Sequence, residues 1–288
     1  MNMVESLPRD LQQKFDAAVS QIRLSKGAVV ALSAGVDSSL VALLAHKALG
    51  NRAVAVTGVS ESLPPHELEI ARGTAREIGI KHLVVQTYEL QNPEYASNRA
   101  DRCYYCKDTL YRELRTLANG LGLEQILDGT QVDDLGDDRP GFRAAREAGV
   151  KSPLLMASFS KAEVRETARV LGLSVWDKPA MPCLSSRIIH GEDVTTDKLG
   201  MIGQAELYIK ELTGVRNLRV RYSNSAARIE VAPEERKLFF DETVMDQVDR
   251  TLKGLGFMTV TLDLKGYSRR ERTPVANPLL LPMASVSE

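Results

Sequence analysis

The sequence predicts an α/β fold, in which a parallel sheet carries helices on both faces, followed by a smaller C-terminal α+β domain. Short apolar runs alternate with helical patterns through the first half of the chain, and this alternation is typical of parallel strands joined by crossover helices. A hydrophobic content of 43% with aromatics at only 5% favours an ordinary aliphatic core. Beyond residue 192, two strands joined by a short turn lie between helical patterns, which indicates a second unit.

The elements follow in chain order. After Pro8, apolar residues recur at nearly helical spacing from Leu11 to Ile22, so a packing helix precedes the first strand. The predicted strands of the large sheet cover 28–32, 53–59, 83–87 and 126–129, and the predicted helices cover 38–48, 65–78, 107–118 and 161–171. The predicted elements of the small domain are a helix over 196–212, strands over 218–222 and 227–231, a helix over 234–252 and a strand over 258–264.

Breaks in periodicity divide the chain. All periodicity is lost over 178–191, which contains two prolines, and the tail combines prolines with weak patterning. We therefore expect four parts: a nucleotide-binding domain over 1–177, a linker over 178–192 that carries Cys183, a small substrate-phosphate domain over 193–268, and a disordered tail over 269–288.

Charge and composition argue against several classes of function. With 37 basic and 38 acidic residues the formal net charge is −1, so the basic excess of a typical nucleic-acid-binding protein is absent. The first ten residues lack the apolar segment of a signal peptide, and no stretch reaches the roughly 18 apolar residues of a membrane span. We expect a cytoplasmic protein that binds neither membrane nor nucleic acid.

The stretch ALSAGVDSSL, residues 31–40, follows the first predicted strand and leads into a helix. Ligands of open parallel sheets collect at the carboxyl ends of strands, and a helix that begins there offers unpaired N–H groups to phosphates. The stretch lacks the lysine of a Walker A loop and the three glycines of a dinucleotide fingerprint. The alternative is a turn rich in serine and glycine that merely caps the helix. The candidate phosphate-binding residues are Ser33, Ala34, Gly35, Val36, Asp37 and Ser38.

Three cysteines are too few, and odd in number, for a disulfide framework. Cys103 and Cys106 form a C-x-x-C pair, and Cys183 lies in the predicted linker. Three thiolates are one short of a Cys₄ set, so a metal bound by all three would keep one open position. A [4Fe–4S] cluster, a zinc ion and unligated thiols with a reactive Cys183 all stay open, and the nearby Lys107 and Arg187 would favour the thiolate.

Three arginines of the small domain are predicted to share one face. Arg219 and Arg221 are two residues apart in a strand, and Arg228 lies on the neighbouring strand. Three guanidinium groups on one face would suit a substrate phosphate. In the alternative interpretation they pair with nearby acids, namely Glu206, Glu230 or Asp263.

The loop and several later motifs resemble a known family. LSAGVDSS is similar to the S-G-G-x-D-S pyrophosphate loop of the N-type ATP pyrophosphatases, the PP-loop superfamily, with Ala34 in place of a usual glycine. Further motifs then occur in order, and together they resemble the LarE family. These motifs are Asp128-Gly-Thr-Gln-Val-Asp-Asp134, Arg139-Pro-Gly, Lys151-Ser-Pro-Leu154, Trp176-Asp-Lys-Pro179 and Cys183-Leu-Ser-Ser-Arg187.

The resemblance, which spans residues 10–270, implies an adenine nucleotide alpha hydrolase-like fold and an ATP-dependent sulfur transferase. Such enzymes make the pyridinium bisthiocarboxylate mononucleotide of the nickel-pincer cofactor of lactate racemase by adenylylating carboxylates. It implies ATP and Mg²⁺ at the loop, with Asp37 serving the metal, Ser38 a phosphate and Asp128 the nucleotide site. It also implies that Cys103, Cys106 and Cys183 hold a [4Fe–4S] cluster whose open iron carries sulfide, that Arg187 orients substrate, and that the chain forms a homo-oligomer, a hexamer.

Four alternatives remain open. Family members with one cysteine at the position of Cys183 give up its sulfur and leave dehydroalanine. A tRNA thiolase would share the loop and the three cysteines. An amide-forming ligase that uses ammonia would share the loop alone. A non-catalytic nucleotide-binding protein is suggested by Ala34.

Overall fold

The computed structural model describes residues 6–135 and 140–267, so the tail predicted over 269–288 lies outside the described residues. The first four strands are β1 (Ala28–Ala31), β2 (Ala53–Val59), β3 (Lys81–Gln86) and β4 (Gln125–Leu127). They form one sheet in the order β3-β2-β1-β4, and every neighbouring pair is parallel. The predicted parallel sheet is confirmed, with β3 starting two residues earlier than expected.

Helices connect the strands and cover the sheet. They are α1 (Arg9–Arg23), α2 (Val36–Leu49), α3 (Pro65–Ile78), α4 (Pro93–Ala96), α5 (Arg102–Gly120), α6 (Pro140–Glu147), α7 (Pro153–Met156) and α8 (Lys161–Val170). Helix α5 begins at Arg102 rather than at 107, so Cys103 and Cys106 lie in its first turns. Within the described ranges no helix has both the length and the apolar character needed to cross a bilayer.

Both faces of the central strands β1 and β2 are largely buried, as their continuous apolar sequences predict, whereas the edge strand β3 is partly exposed. Along β1 the side chains alternate, so that Ala28 and Val30 pack into one core cluster with α1, α2 and α8. Val29 points the other way and packs with residues of α5 and α6. The carboxyl end of the central strand β1 therefore lies between two layers of helices.

The second sheet contains β5 (Leu218–Ser223), β6 (Ala226–Val231) and β7 (Thr259–Leu262), with helices α9 (Thr196–Thr213) and α10 (Glu242–Gly254). Strands β5 and β6 form an antiparallel hairpin, whose turn residues Asn224 and Ser225 have φ of 47° and 60°. Strand β7 joins β6 in parallel. This mixed sheet with its helices confirms the smaller α+β unit.

One predicted helix of this unit is interrupted. The expected helix over 234–252 is a 3₁₀ helix, Pro233–Phe239, followed by α10 from Glu242. The carboxylate of Asp241 accepts hydrogen bonds from the N–H groups of Thr243 and Val244. Because this side chain caps a new helix start, the chain changes direction there instead of continuing.

The stretch predicted as a linker contacts both sheets. The Leu184 N–H donates to the Ser62 carbonyl beyond β2, and Ile188 forms a parallel bridge with Tyr222 of β5. Leu184 and Ile188 are buried in the core cluster of the second sheet. Cys183 therefore lies where the two sheets approach each other.

Candidate active site

The loop between β1 and α2 forms a closed turn. The Ser38 and Ser39 hydroxyls donate to the Gly35 carbonyl at 3.0 and 2.8 Å, and the Ser33 N–H donates to Ser38 Oγ at 3.1 Å. Ala34 is fully buried in the left-handed region with φ 57°, a conformation that favours glycine. The first N–H groups of α2 have no acceptor within the helix, so they are available to an anion.

A second segment passes close to the start of α2. A Cβ built on Gly129 would lie 2.7 Å from the Ser38 nitrogen and 3.0 Å from Asp37 Cβ, so only glycine fits there. Its neighbour Asp128 is buried and accepts from Ser152 Oγ at 2.6 Å, Thr130 Oγ1 at 3.0 Å and Tyr111 Oη at 3.2 Å. Asp128 therefore fixes the segment that closes the site beside β4.

Between the loop, the Asp128 segment and α5 lies a cavity of about 420 Å³. Of the predicted site residues, it is lined by Ser33, Asp37, Ser38, Asp128 and Cys103. The predicted phosphate loop and one cysteine thus open on the same cavity.

Two further cavity residues stand beside Cys103. Charge interaction with Tyr111, which acts only once that phenol ionises, and then with Asp128 raises the pKa of Lys107 against the opposing effect of burial, so its ammonium stays charged. Burial, with Asp128 nearby, raises the pKa of Tyr111 to about 12, and this phenol stays neutral. The cavity is therefore lined by an ammonium group as well as by the loop, which suits an anionic substrate.

Asp37 carries the observation that points to a metal. Its Oδ2 accepts from Lys161 Nζ at 2.5 Å, whereas Oδ1 is buried and has no hydrogen-bond partner. An unpartnered buried carboxylate oxygen beside a phosphate loop fits Mg²⁺, which takes one or two carboxylates together with substrate phosphates. Asp37 would hold that ion.

The three thiols lie in one region without meeting at one point. Cys103 is exposed at the cavity, while Cys106 and Cys183 are half-buried. Burial, followed by the charges of Cys183 and Glu89, raises the pKa of Cys106. Among the residues that the structure describes, no three His, Cys, Asp or Glu side chains are grouped to hold a metal ion. In this conformation the thiols do not fit a [4Fe–4S] cluster.

Arg187 is fully buried, and its guanidinium is surrounded by acceptors. It pairs with Glu206 at 2.8 and 3.1 Å and donates to the carbonyls of Pro182 and Cys183 at 2.7 and 3.1 Å. Because the side chain is fully buried among these partners, any effect of Arg187 on substrate would be indirect, and the expectation that it orients substrate stays a prediction. Arg187 holds the main chain that carries Cys183.

The three arginines of the hairpin share one face, as expected, and Arg221 is the register partner of Arg228. Arg221 and Arg228 both pair with Glu230 at 2.9 Å, which matches the alternative interpretation of an ion-paired face. Arg219 is buried and donates to the Ala180 carbonyl at 2.6 Å. A phosphate site at these residues stays a prediction, with the half-exposed Arg228 as its most accessible member.

Two lysines next to the loop were missed by sequence reasoning. Lys161 reaches Asp37, and Lys178 Nζ donates to the Ala34 carbonyl at 2.9 Å. They lie 124 and 144 residues from their partners, so no local spacing could reveal them. The only available signal was the position of Lys178 in the motif Trp176-Asp-Lys-Pro179.

Comparisons with known proteins agree with this site. A family model described as NAD synthase matches residues 9–102, which include the loop. An uncharacterised protein of Synechocystis is 48% identical over 265 residues, 92% of this chain and 96% of that protein. One subunit of the glutamine-hydrolysing GMP synthase of Archaeoglobus fulgidus is 28% identical over 222 residues, 70% of this chain and 71% of that protein.

A further relative has an assigned activity. The pyridinium-3,5-bisthiocarboxylic acid mononucleotide synthase of Lactiplantibacillus plantarum is 37% identical over 261 residues, 89% of this chain and 92% of that protein. The chain therefore belongs to the LarE family of enzymes.

Proposed function

We propose that this chain uses ATP to adenylylate a carboxylate of a pyridinium biscarboxylate mononucleotide and then converts it to a thiocarboxylate for nickel-pincer cofactor synthesis. The observation that carries the proposal is the loop before α2, where Asp37 Oδ1 is buried and unpartnered at the edge of a cavity that also contains Cys103. The candidate phosphate loop, a carboxylate suited to a metal ion and a thiol therefore line one cavity, which supports the proposal. The named activity of the L. plantarum relative supports the choice of substrate.

In the first step a substrate carboxylate oxygen attacks the α-phosphorus of ATP. The bond from that phosphorus to the bridging oxygen breaks, and pyrophosphate leaves with the electron pair. The N–H groups at the start of α2 and the Ser38 hydroxyl would hold the pyrophosphate, and Lys107 would attract the anionic substrate. Bound Mg²⁺ would neutralise phosphate charge at Asp37.

In the second step a sulfur nucleophile adds to the acyl carbon, and AMP leaves. Adenylylation is needed because AMP is a far better leaving group than oxide. Two rounds convert the two carboxylates. The source of the sulfur stays open: a [4Fe–4S] cluster would require the three thiols to move together, whereas Cys183 could give up its own sulfur and end as dehydroalanine.

The activity is tested with anaerobically purified protein, ATP, Mg²⁺ and the pyridinium biscarboxylate mononucleotide. We expect pyrophosphate, AMP and a thiocarboxylate product in the mass spectrum. Absence of pyrophosphate despite ATP binding would contradict the proposal and would favour a non-catalytic nucleotide-binding protein.

Iron, sulfide and zinc contents, measured per chain on the same sample, distinguish the sulfur sources. About four iron and four sulfide per chain would indicate a [4Fe–4S] cluster. Metal-free protein that loses the Cys183 sulfur during turnover would indicate the sacrificial route. Replacing any of the three cysteines with alanine is expected to abolish turnover under the cluster proposal and to leave ATP binding unchanged.

A second candidate is an amide-forming ligase that uses ammonia, which the similarity to the GMP synthase subunit favours. In such a ligase Cys103, Cys106 and Cys183 would take no part in the reaction. A triple cysteine-to-alanine variant that still forms product with ammonia would support this candidate and exclude sulfur transfer. We further propose that the enzyme is cytoplasmic and acts as a homo-oligomer, a hexamer, which light scattering would test.

A further inference from the structure

We propose that Lys178 is a positioning residue that couples the nucleotide loop to the segment carrying Cys183. The inference rests on the proposed function, because it assumes that ATP binds the loop and that Cys183 takes part in sulfur transfer. It assigns to Lys178 a role that acts through its contacts with Ala34 and Glu67. Three observations carry it.

The first observation is the environment of the ammonium group. Lys178 Nζ donates to the Ala34 carbonyl at 2.9 Å and to Glu67 Oε2 of α3 at 2.6 Å, and its side chain is only 15% exposed. Glu67 is itself buried and contacts His66 Nε2 at 3.3 Å. A charge-assisted hydrogen bond away from bulk water is among the stronger contacts in a protein, so Lys178 holds the loop firmly.

The second observation is the peptide that Lys178 holds. Ala34 adopts φ 57°, which costs free energy for a residue with a Cβ. In a planar trans peptide the C=O and N–H groups point in opposite directions. A carbonyl of Ala34 fixed on Lys178 therefore turns the Gly35 N–H away from the lysine, and Gly35 caps the start of α2, where the phosphates would bind.

The third observation is the segment that begins at Lys178. Residues 178–183 contain neither helix nor strand, and side chains hold their carbonyls instead. Arg165 donates to the Lys178 carbonyl at 3.0 Å, Arg219 to Ala180 at 2.6 Å and Arg187 to Pro182 at 2.7 Å. A segment without ladder hydrogen bonds shifts readily when one of its contacts changes.

Together these contacts connect the nucleotide loop to the Cys183 thiol, first through the hydrogen bond from Lys178 to Ala34 and then along the main chain. Pyrophosphate on the loop fixes the Gly35 N–H and, through the rigid peptide, the Ala34 carbonyl. That carbonyl fixes the Lys178 ammonium, which lies five residues before Cys183. ATP binding therefore orders the Cys183 segment before sulfur transfer. Without the Lys178 ammonium, ATP would still bind but would no longer order this segment.

The test is hydrogen–deuterium exchange of the protein as purified, with and without α,β-methylene ATP and Mg²⁺. In the wild type we expect protection in peptides that cover both the loop, 33–39, and the segment, 178–187. In Lys178→Met the loop is still protected, with about tenfold weaker nucleotide affinity, but protection of the segment is lost. Lys178→Arg is expected to restore part of it.

Lys198→Met is the matched control. Lys198 Nζ also contacts one carboxylate, Glu192, at 3.4 Å and one carbonyl, Asp193, at 2.8 Å, but it lies in the second unit away from the loop. In this variant the nucleotide should still protect both the loop, 33–39, and the segment, 178–187, from exchange. A purely structural role for Lys178 would lower the melting temperature and leave nucleotide-dependent protection of 178–187 intact, and that result would overturn the inference.

The outcomes separate the inference from the proposed function. If the wild-type loop shows no nucleotide protection, the proposed function is wrong. If loop and segment respond equally in the wild type and in Lys178→Met, only the coupling is wrong. Should Lys178→Met fail to fold, Glu67→Gln tests the same contact, since a neutral amide holds the ammonium less firmly and should weaken segment protection.

Discussion

At the scale of single residues, Asp37 has the clearest chemical role. One oxygen is held by Lys161, and the other is buried without a partner. Buried polar atoms usually have a hydrogen-bond partner, and this oxygen lies at the start of α2, where a cation bound with the phosphates would supply one. The open oxygen therefore supports the proposal that Asp37 holds Mg²⁺.

Asp37→Asn tests this role. We expect pyrophosphate release to fall by about 100-fold, since one group that stabilises developing charge is removed. Stability should change little, because the pair with Lys161 is partly exposed and such pairs contribute about 0–1 kcal/mol. Lys161→Met serves as the control that removes the pair and keeps the carboxylate; an equal loss of activity in both variants would argue against metal binding by Asp37.

Arg187 and Glu206 form the most deeply buried ion pair around Cys183, with side-chain exposures of 0% and 4%. Removing one partner leaves a buried charge, which costs about 3–5 kcal/mol. Arg187→Met is therefore expected to lower the free energy of unfolding by that amount in urea denaturation. Arg169→Met, which removes an exposed pair with Glu166, should change it far less. Similar losses of unfolding free energy in the two variants would contradict a stabilising role for the buried Arg187–Glu206 pair.

At the scale of elements, helix α8 positions Lys161 for Asp37. Its capping box joins Ser160 and Glu163, and Glu163 also accepts from Lys14 at 2.7 Å. The Lys161 N–H donates to Asp133 Oδ2. The first residue of α8 thus contacts both Asp37 and Asp133.

Ser160→Ala is expected to destabilise the protein by about 1 kcal/mol, the usual effect of losing an N-cap. ATP affinity should fall as well, because the first turn of α8 carries Lys161. Thr195→Ala removes the N-cap of α9 and should lower the free energy of unfolding by about as much as Ser160→Ala does, without affecting ATP binding. Calorimetry of unfolding and of nucleotide binding measures both quantities.

The contact between α3 and Lys178 should depend on pH. Burial raises the pKa of Glu67, but hydrogen bonds from His66 and Lys178 and the charge of Lys178 outweigh it, so the net pKa lies below the ordinary value of 4.5. A lowered carboxyl pKa contributes stability that is complete above pH 4.5 and is lost as the pH falls through the folded-state value. The stability difference between wild type and Glu67→Gln should therefore shrink below pH 4.5; a difference that stays constant would argue against a charged Glu67.

At the scale of the whole molecule, periodicity predicted the four strands of the large sheet and its longer helices, but it missed the short helices α4, α6 and α7. The carboxyl end of β1 was placed correctly, because apolar runs mark strands buried on both faces. The break before α10 was missed, since the Asp241 cap competes with a helical pattern that continues through it. Lys161 and Lys178 could not be predicted, because contacts across 124 and 144 residues depend on how α8 and the linker pack.

Net charge gives a prediction about the intact protein. A formal charge of −1 argues against the broad basic surface that supplies most non-specific affinity for nucleic acid. We expect no gel shift with bulk tRNA at physiological salt. A clear shift would favour the tRNA thiolase, which shares the loop and the three cysteines.

Trp176 is the one tryptophan of the chain, and its side chain is 40% exposed. Its carbonyl accepts from Arg165 at 2.6 Å, and it stands two residues before Lys178. An indole in partial contact with water changes its fluorescence when its surroundings change, and no second indole overlaps its signal. The unlabelled protein therefore contains its own optical probe for the start of the Cys183 segment, so rapid-mixing fluorescence can time the response of that segment after nucleotide is added.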